Sequence, residues 1–227
     1  MSADARIRVD MVKTGVANVA SVAAALRRLG ADVELTADAA RVREGAAVVL
    51  PGVGSFGAGM RALRESGLDA VLAERIAENR PTLAVCLGLQ LLCQSSEETP
   101  GIHGLGVLPI DVQRLRGAPR LPHFGWNAVG LESSAPEPAV GLLEEGDAYF
   151  AHTFCLTDAD ALEAEGWTVA RTDEGSTFVS AVERGSVLAC QFHPELSGPY
   201  GAALLGRWLA SARTASAAAA AQGGPTW

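Results

Sequence analysis

Lysine is all but missing from this chain of 227 residues: Lys13 is the only one, and every other basic residue is arginine. Basic residues number 18 against 26 acidic ones, for a formal net charge of -8. A nucleic-acid binder needs clustered cations to neutralise phosphates, so that class is set aside. Cysteine is also scarce. The four residues Cys86, Cys93, Cys155 and Cys190 form no Cys-x-x-Cys pair, which predicts free thiols. Histidines at 103, 123, 152 and 193 stand too far apart for zinc-ligand spacing, so neither a metal nor another cofactor is expected. No stretch approaches the roughly 18 uninterrupted apolar residues of a membrane span, and Met1 to Arg8 lack the apolar core of a signal peptide. The expectation is a cytoplasmic protein that touches no membrane.

What the chain has in quantity is apolar side chain, 48% of residues, enough for a sizeable core. One domain is expected over residues 1–213, followed by an Ala/Gly-rich tail, 214–227, that has little to pack against and is expected to be frayed and disordered. The first half alternates apolar runs with amphipathic ones. Strands are expected at Ile7–Val12, Val33–Leu35, Ala46–Leu50 and Thr82–Val85. Helices are expected from the Asn18 cap to Leu29 and over Ala58–Ser66 and Leu68–Asn79. This βαβα series predicts an α/β fold with a mostly parallel central sheet flanked by helices. The second half is richer in strand signals, at 107–115, 126–131, 148–154, 168–172, 177–183 and 187–192, which predicts a mixed or antiparallel extension. A last helix is expected over Tyr200–Ala212.

Three short runs carry chemistry. In Leu83-Ala84-Val85-Cys86-Leu87-Gly88-Leu89-Gln90 an apolar strand runs into a small-residue turn and a helix, the form of a nucleophile elbow. Such a turn lifts Cys86 to the carboxyl edge of a sheet, where a helix N-terminus favours thiolate and offers amides to an oxyanion. The elbow alone does not separate this from an inert buried thiol. The partners do: in Cys190-Gln191-Phe192-His193-Pro194-Glu195, His193 falls at a strand end as a general base. Glu195 is placed to turn back and fix its tautomer. A nucleophile, a base and an orienter together are a far rarer coincidence than any one alone. The third run, Pro51-Gly52-Val53-Gly54, has the backbone freedom an oxyanion donor requires, though any tight βα turn uses such glycines.

Together, in this order, the three runs resemble the class I (triad) glutamine amidotransferases, whose fold is a flavodoxin-like sheet. Leu121-Pro122-His123-Phe124-Gly125-Trp126-Asn127 and Tyr149-Phe150-Ala151-His152-Thr153-Phe154 are similar to the glutaminase subunits of imidazole glycerol phosphate synthases, from histidine biosynthesis. So are Ser96-Glu97-Glu98 and Gly15-Val16-Ala17-Asn18 with Ser21. The resemblance runs from about Ile7 to Leu209. It implies hydrolysis of L-glutamine by Cys86, His193 and Glu195, with oxyanion donors from Leu87 and from Val53 or Gly54. It places the substrate against Gly52, Gln90, Glu98, Thr153 and Phe154. It further implies a heterodimer with a separate (β/α)8-barrel cyclase that receives the ammonia, with Asn18, His123 and Trp126 near the interface. Simpler roles compete at several of these positions: a solvated charge for Glu98, core aromatics for Phe154 and Trp126, a helix cap for Asn18.

Two positions depart from the family pattern. Lys13 stands where many relatives carry Asp, and Leu196 follows His193-Pro194-Glu195 where a basic residue is usual. Lys13 is placed to supply the charge missing at 196. The departures leave room for a related glutaminase serving a different synthase. An inactive scaffold is disfavoured by the intact triad residues, and a cysteine peptidase or γ-glutamyl hydrolase by the runs around Trp126 and Phe154.

Overall fold

The computed structural model describes residues 6–14, 19–52, 54–131 and 141–221. The first half is built as expected apart from α2: β1 (Arg8–Val12), α1 (Val19–Arg28), β2 (Asp32–Thr36), α2 (Ala39–Glu44), β3 (Ala47–Gly52), α3 (Phe56–Glu65), α4 (Leu68–Ala77), β4 (Thr82–Cys86) and α5 (Leu87–Leu91). The second half contains β5 (Gln113–Arg114), β6 (His123–Leu131), β7 (Gly146–His152), β8 (Phe154–Cys155), α6 (Ala159–Ala164), β9 (Thr168–Asp173), β10 (Thr177–Arg184) and β11 (Val187–Cys190). A 3-10 turn at Pro194–Leu196 and α7 (Gly198–Ala221) end it. Among the described residues nine strands form one sheet in the order β2-β1-β3-β4-β11-β10-β9-β6-β7, and β5 pairs with β8. The five strands from β2 to β11 are mutually parallel. The remaining strands continue antiparallel, so the mixed sheet expected from the sequence is present.

Period-2 patterning explains why the parallel strands read as unbroken apolar runs. Along β3, Ala47 and Val49 enter one core, while Val48 and Leu50 enter the core on the opposite face. Leu83 and Val85 of β4 likewise oppose Ala84. A strand covered on both faces has no polar side to show. Helix α3 buries Phe56, Met60 and Leu63 at helical spacing, and α4 buries Leu68, Val71, Leu72 and Ile76. Arg75, on the same buried stripe, is satisfied by Thr82 Oγ1 and by the carbonyls of Val42, Arg43 and Pro81, which clamp α4 to the amino ends of the strands.

Three expectations differ from the structure. The run 107–115 has the alternation of a strand, and Leu108, Ile110, Val112 and Leu115 are indeed buried. Only Gln113–Arg114 is strand, because the backbone before it bonds irregular neighbours instead: Leu108 N–H donates to Leu92 O, and Gln94 N–H to Ile110 O. Helices α2 and α6 were unforeseen, although each begins at an aspartate whose side chain caps it, Asp38 and Asp158. Helix α7 continues past Ala212 to Ala221, so residues 214–221 of the tail expected to be disordered are helical. Its alanine run is as strong a helix former as exists, so propensity sustains helix where little packing does. The cap expected at Asn18 lies outside the described residues.

Candidate active site

Adjacent parallel strands deliver the chemistry to one edge. Gly52 of β3 pairs with Cys86 of β4, and Cys190 of β11 pairs with Val85 of β4. The three motif-bearing loops therefore leave the carboxyl ends of three neighbouring strands, where open α/β sheets place their ligands. Cys86 itself has φ 54° and ψ -110°, a left-handed backbone that a non-glycine residue adopts only when its surroundings impose it. The turn holds the side chain out of the β4 ladder and starts α5 at Leu87. Gly88 is what lets α5 sit that low, since a Cβ there would overlap the Leu50 carbonyl oxygen. Gly52 is equally confined, against Leu87 and Gly88. Gly88→Ala is expected to cost about 1–3 kcal/mol by overpacking, read as a lower urea midpoint at unchanged slope.

His193 is fixed before its side chain acts. Its N–H donates to Tyr149 O at 2.9 Å, and its carbonyl accepts from Ser197 Oγ at 2.7 Å. Nδ1 lies 2.9 Å from Glu195 Oε1. The other carboxylate oxygen, Oε2, is buried with no hydrogen-bond partner among the described residues, and His193 is the ion-pair partner of Glu195 among them. Burial by itself lowers the His193 pKa, but hydrogen bonds to Cys86 and Glu195, with their charges, push it up to about 10. The resting arrangement holds a proton on His193 beside the Cys86 sulfur. By contrast burial pushes the pKa of neighbouring His152 down to about 3, helped by His123 and His193 and opposed by the Phe154 carbonyl. The cleft therefore holds one cationic imidazole and one neutral one.

A cleft of about 270 Å³ opens on the triad, lined by Gly54, Cys86, Leu87, Gln90, Glu98, Pro122, Phe124, Ala151, His152, Thr153, Phe154 and His193. The structure thus brings together Cys86, Leu87, Gly54, Gln90, Glu98, Thr153, Phe154 and His193, with Glu195 behind the histidine and Gly52 behind the elbow. Val53 and Asn18 lie outside the described residues. Glu98 does more than face solvent: its Oε2 accepts from Phe56 N–H at 2.6 Å, capping α3 and fixing the carboxylate at the cleft wall. Gln90 Nε2 donates to Phe154 O at 2.8 Å, and Leu115 N–H to Thr153 O at 2.9 Å, which sets the 153–154 backbone.

The expectation for His123 needs correcting. Its side chain is buried, stacked on Phe150 with ring centroids 5.0 Å apart, and Nδ1 bonds His152 Nε2. Strand alternation on β6 turns His123 inward and leaves Phe124 and Trp126 outward. Trp126 is 58% exposed, Phe124 66% and Leu196 48%, three of the four exposed large apolar side chains among the described residues. A side chain added at Gly198, two residues from Leu196, would meet the Trp126 ring, and Phe124 lines the cleft. Phe124, His152 and Gln191 had not been singled out from the sequence. A glutamine directly after an apolar strand and two residues before His193 was the available signal for Gln191.

Comparison with known proteins gives the family. The family model "Glutamine amidotransferase class-I" matches residues 10–211. The "Imidazole glycerol phosphate synthase subunit HisH" of Herpetosiphon aurantiacus is 38% identical over 200 residues, 88% of this chain and 92% of its own. The subunit of the same name from Symbiobacterium thermophilum is 40% identical over 201 residues, again 88% and 92%. A crystal structure of a glutamine amidotransferase shares the fold with a TM-score of 0.70, at 23% identity over 90% of this chain and 98% of its own. The chain belongs to the class I glutamine amidotransferase family, in the branch of the HisH subunits.

Proposed function

We propose that this chain is the glutaminase subunit of an imidazole glycerol phosphate synthase. It hydrolyses L-glutamine to glutamate and passes the ammonia to a separate (β/α)8-barrel cyclase, with which it forms a cytoplasmic heterodimer. The observation that carries the chemistry is the convergence of Cys86, His193 and Glu195 on a cleft whose far wall is Gln90, Glu98 and the 153–154 backbone. Glu98 suits the substrate α-ammonium. The Cys86 thiolate attacks the side-chain carbonyl carbon, and the oxyanion is held by the Leu87 amide and an amide of the Val53–Gly54 loop. His193 gives its proton to the departing nitrogen, releasing ammonia and leaving a γ-glutamyl thioester. Now neutral, His193 takes a proton from water, whose oxygen displaces the sulfur; glutamate leaves and the thiolate returns. Glu195 orients the imidazole and balances its charge throughout.

The docking face in this reading is the patch of Phe124, Trp126 and Leu196 around the cleft mouth, so ammonia released at Cys86 emerges beneath the partner. Interfaces concentrate their energy in such aromatic anchors. Trp126→Ala is expected to weaken the complex at least tenfold, measured by titration calorimetry with the cyclase. Leu196 supports an apolar contact where the family resemblance led to the expectation of a cation, and exposed Lys13, just past the end of β1, is the candidate to supply that charge. The deciding measurement is glutaminase activity with and without the cognate cyclase and its nucleotide ligand. An increase of about a hundredfold is expected if docking completes the oxyanion hole. Stimulation by a different synthase and none by this cyclase assigns the chain to the second reading, a glutaminase of another pathway, which the departures at Lys13 and Leu196 favour.

A further inference from the structure

Gln191 has no exposed surface and lies directly behind the nucleophile. A primary amide in an apolar interior is costly unless its groups are bonded, and here the bonds dictate which way it points. Its Oε1 lies 2.9 Å from Gln90 Nε2, and its Nε2 lies 3.7 Å from Cys86 Sγ. The orientation follows from a chain of forced choices. The Phe154 carbonyl can only accept, so the Gln90 atom bonded to it must be the NH₂ group. The second hydrogen of that NH₂ then requires an acceptor in Gln191, and Oε1 is the acceptor available. Turning Gln191 over would set two NH₂ groups against each other and aim an oxygen lone pair at the sulfur.

The far end of the chain is equally constrained. His152 Nδ1 lies 3.0 Å from the same Phe154 carbonyl and must donate to it. His152 Nε2 therefore accepts from His123 Nδ1, at 3.1 Å. Burial keeps His152 neutral, which preserves this tautomer. At the other end the Gln191 N–H donates to Ser180 O at 2.8 Å, holding its main chain to β10. The amide thus has one permitted pose, with an N–H aimed at Cys86 from the interior side.

We propose that Gln191 is a catalytic residue of this site, donating a hydrogen bond from Nε2 to the Cys86 sulfur and stabilising it as thiolate, with Gln90 and Phe154 O fixing the amide's orientation. The inference rests on the assignment of Cys86 as nucleophile. An amide donor strengthens with the charge on sulfur and, unlike His193, has no proton to lose. It favours thiolate in the resting enzyme and favours sulfur as leaving group when water opens the thioester. It is weakest in the thioester itself, where sulfur carries no charge.

The test compares Gln191→Met, which keeps volume and removes the donor, with Gln191→Glu, which keeps the acceptor toward Gln90 but replaces the amide N–H donor. Iodoacetamide alkylation of Cys86 is followed against pH in the full chain, needing neither glutamine nor the cyclase. In both variants the rate at neutral pH is expected to fall about tenfold, with the acid limb of the profile moved to higher pH. In the complex kcat for glutamine falls while KM changes little. Alkylation profiles that superimpose on the unsubstituted chain's overturn the proposal, whatever glutamine turnover does. A shifted alkylation profile alongside no cyclase-stimulated glutaminase activity upholds it and instead overturns the proposed function. Should neither variant fold, the unsubstituted protein decides: the Gln191 side-chain amide resonance is expected to move over the pH interval in which Cys86 becomes reactive, and a resonance indifferent to that change overturns the assignment.

Discussion

Cys86→Ala is expected to lower glutamine hydrolysis by about 10⁴-fold or more, with the fold intact. The size of the effect follows from what is removed. In the proposed mechanism no γ-glutamyl thioester forms without the sulfur, and amides at Leu87 and Gly54 would only polarise a carbonyl that nothing attacks. The fold should survive because the deletion is a single small atom at the sheet edge, and alanine occupies the same left-handed backbone no worse than cysteine does. Two assays on one preparation make the result specific. In the complex with the cyclase, glutamine-dependent synthesis should vanish, while synthesis from added ammonium salt should continue at its unsubstituted rate, since that chemistry belongs to the other chain. Glutaminase activity above about one per cent in Cys86→Ala would remove Cys86 from the nucleophile's role.

Glu195→Gln is expected to lower kcat by about 10²–10⁴-fold, and its pH behaviour tells why. In the unsubstituted chain burial disfavours the His193 imidazolium, and Cys86 and Glu195 more than restore it, to a pKa of about 10. The side chain of Glu195 is 5% exposed, so its charge is little screened by solvent. Glutamine keeps the shape and an acceptor oxygen but no charge, so the His193 midpoint should fall, read from its ring resonances in an NMR titration. The sign carries over to stability. A histidine whose folded pKa is raised stabilises the fold fully below its unfolded value, near 6.5, and loses that contribution as pH rises through about 10. Unfolding free energy should therefore decline across that window in the unsubstituted chain and decline less in Glu195→Gln. A midpoint for His193 that ignores the substitution would mean that Glu195 is not its orienter.

The two largest expectations concern residues that could be named from the sequence, and the reason is local. Cys86 sits in a strand-turn-helix pattern whose small residues leave few alternatives, and His193-Pro194-Glu195 carries base and orienter within three residues. Periodicity likewise revealed the parallel half of the sheet, because strands buried on both faces are apolar without interruption. Where burial and pairing part company the pattern misled: Leu108, Ile110 and Val112 alternate like a strand but are buried in a loop that bonds the residues after α5. His123 was expected near the partner from the family resemblance, and the one-residue alternation of β6 turned it inward.

Determined by the sequence itself were the mostly parallel fold and the family, and it named the candidate reacting groups, since each depends on residue types at short fixed spacing. Tertiary structure alone decided which distant groups meet. That β3, β4 and β11 are neighbours brings Gly52, Cys86 and His193 to one edge, and a lone reading of any strand contains no trace of its neighbours. It also decided that Glu98 caps α3 while lining the cleft, and that Phe124, Trp126 and Leu196 are all exposed. Gln191 reaches the nucleophile through an amide whose direction depends on Gln90 and Phe154, far apart along the chain. Hydrogen-bond direction is a property of the assembled network, so no spacing in the sequence could have disclosed it.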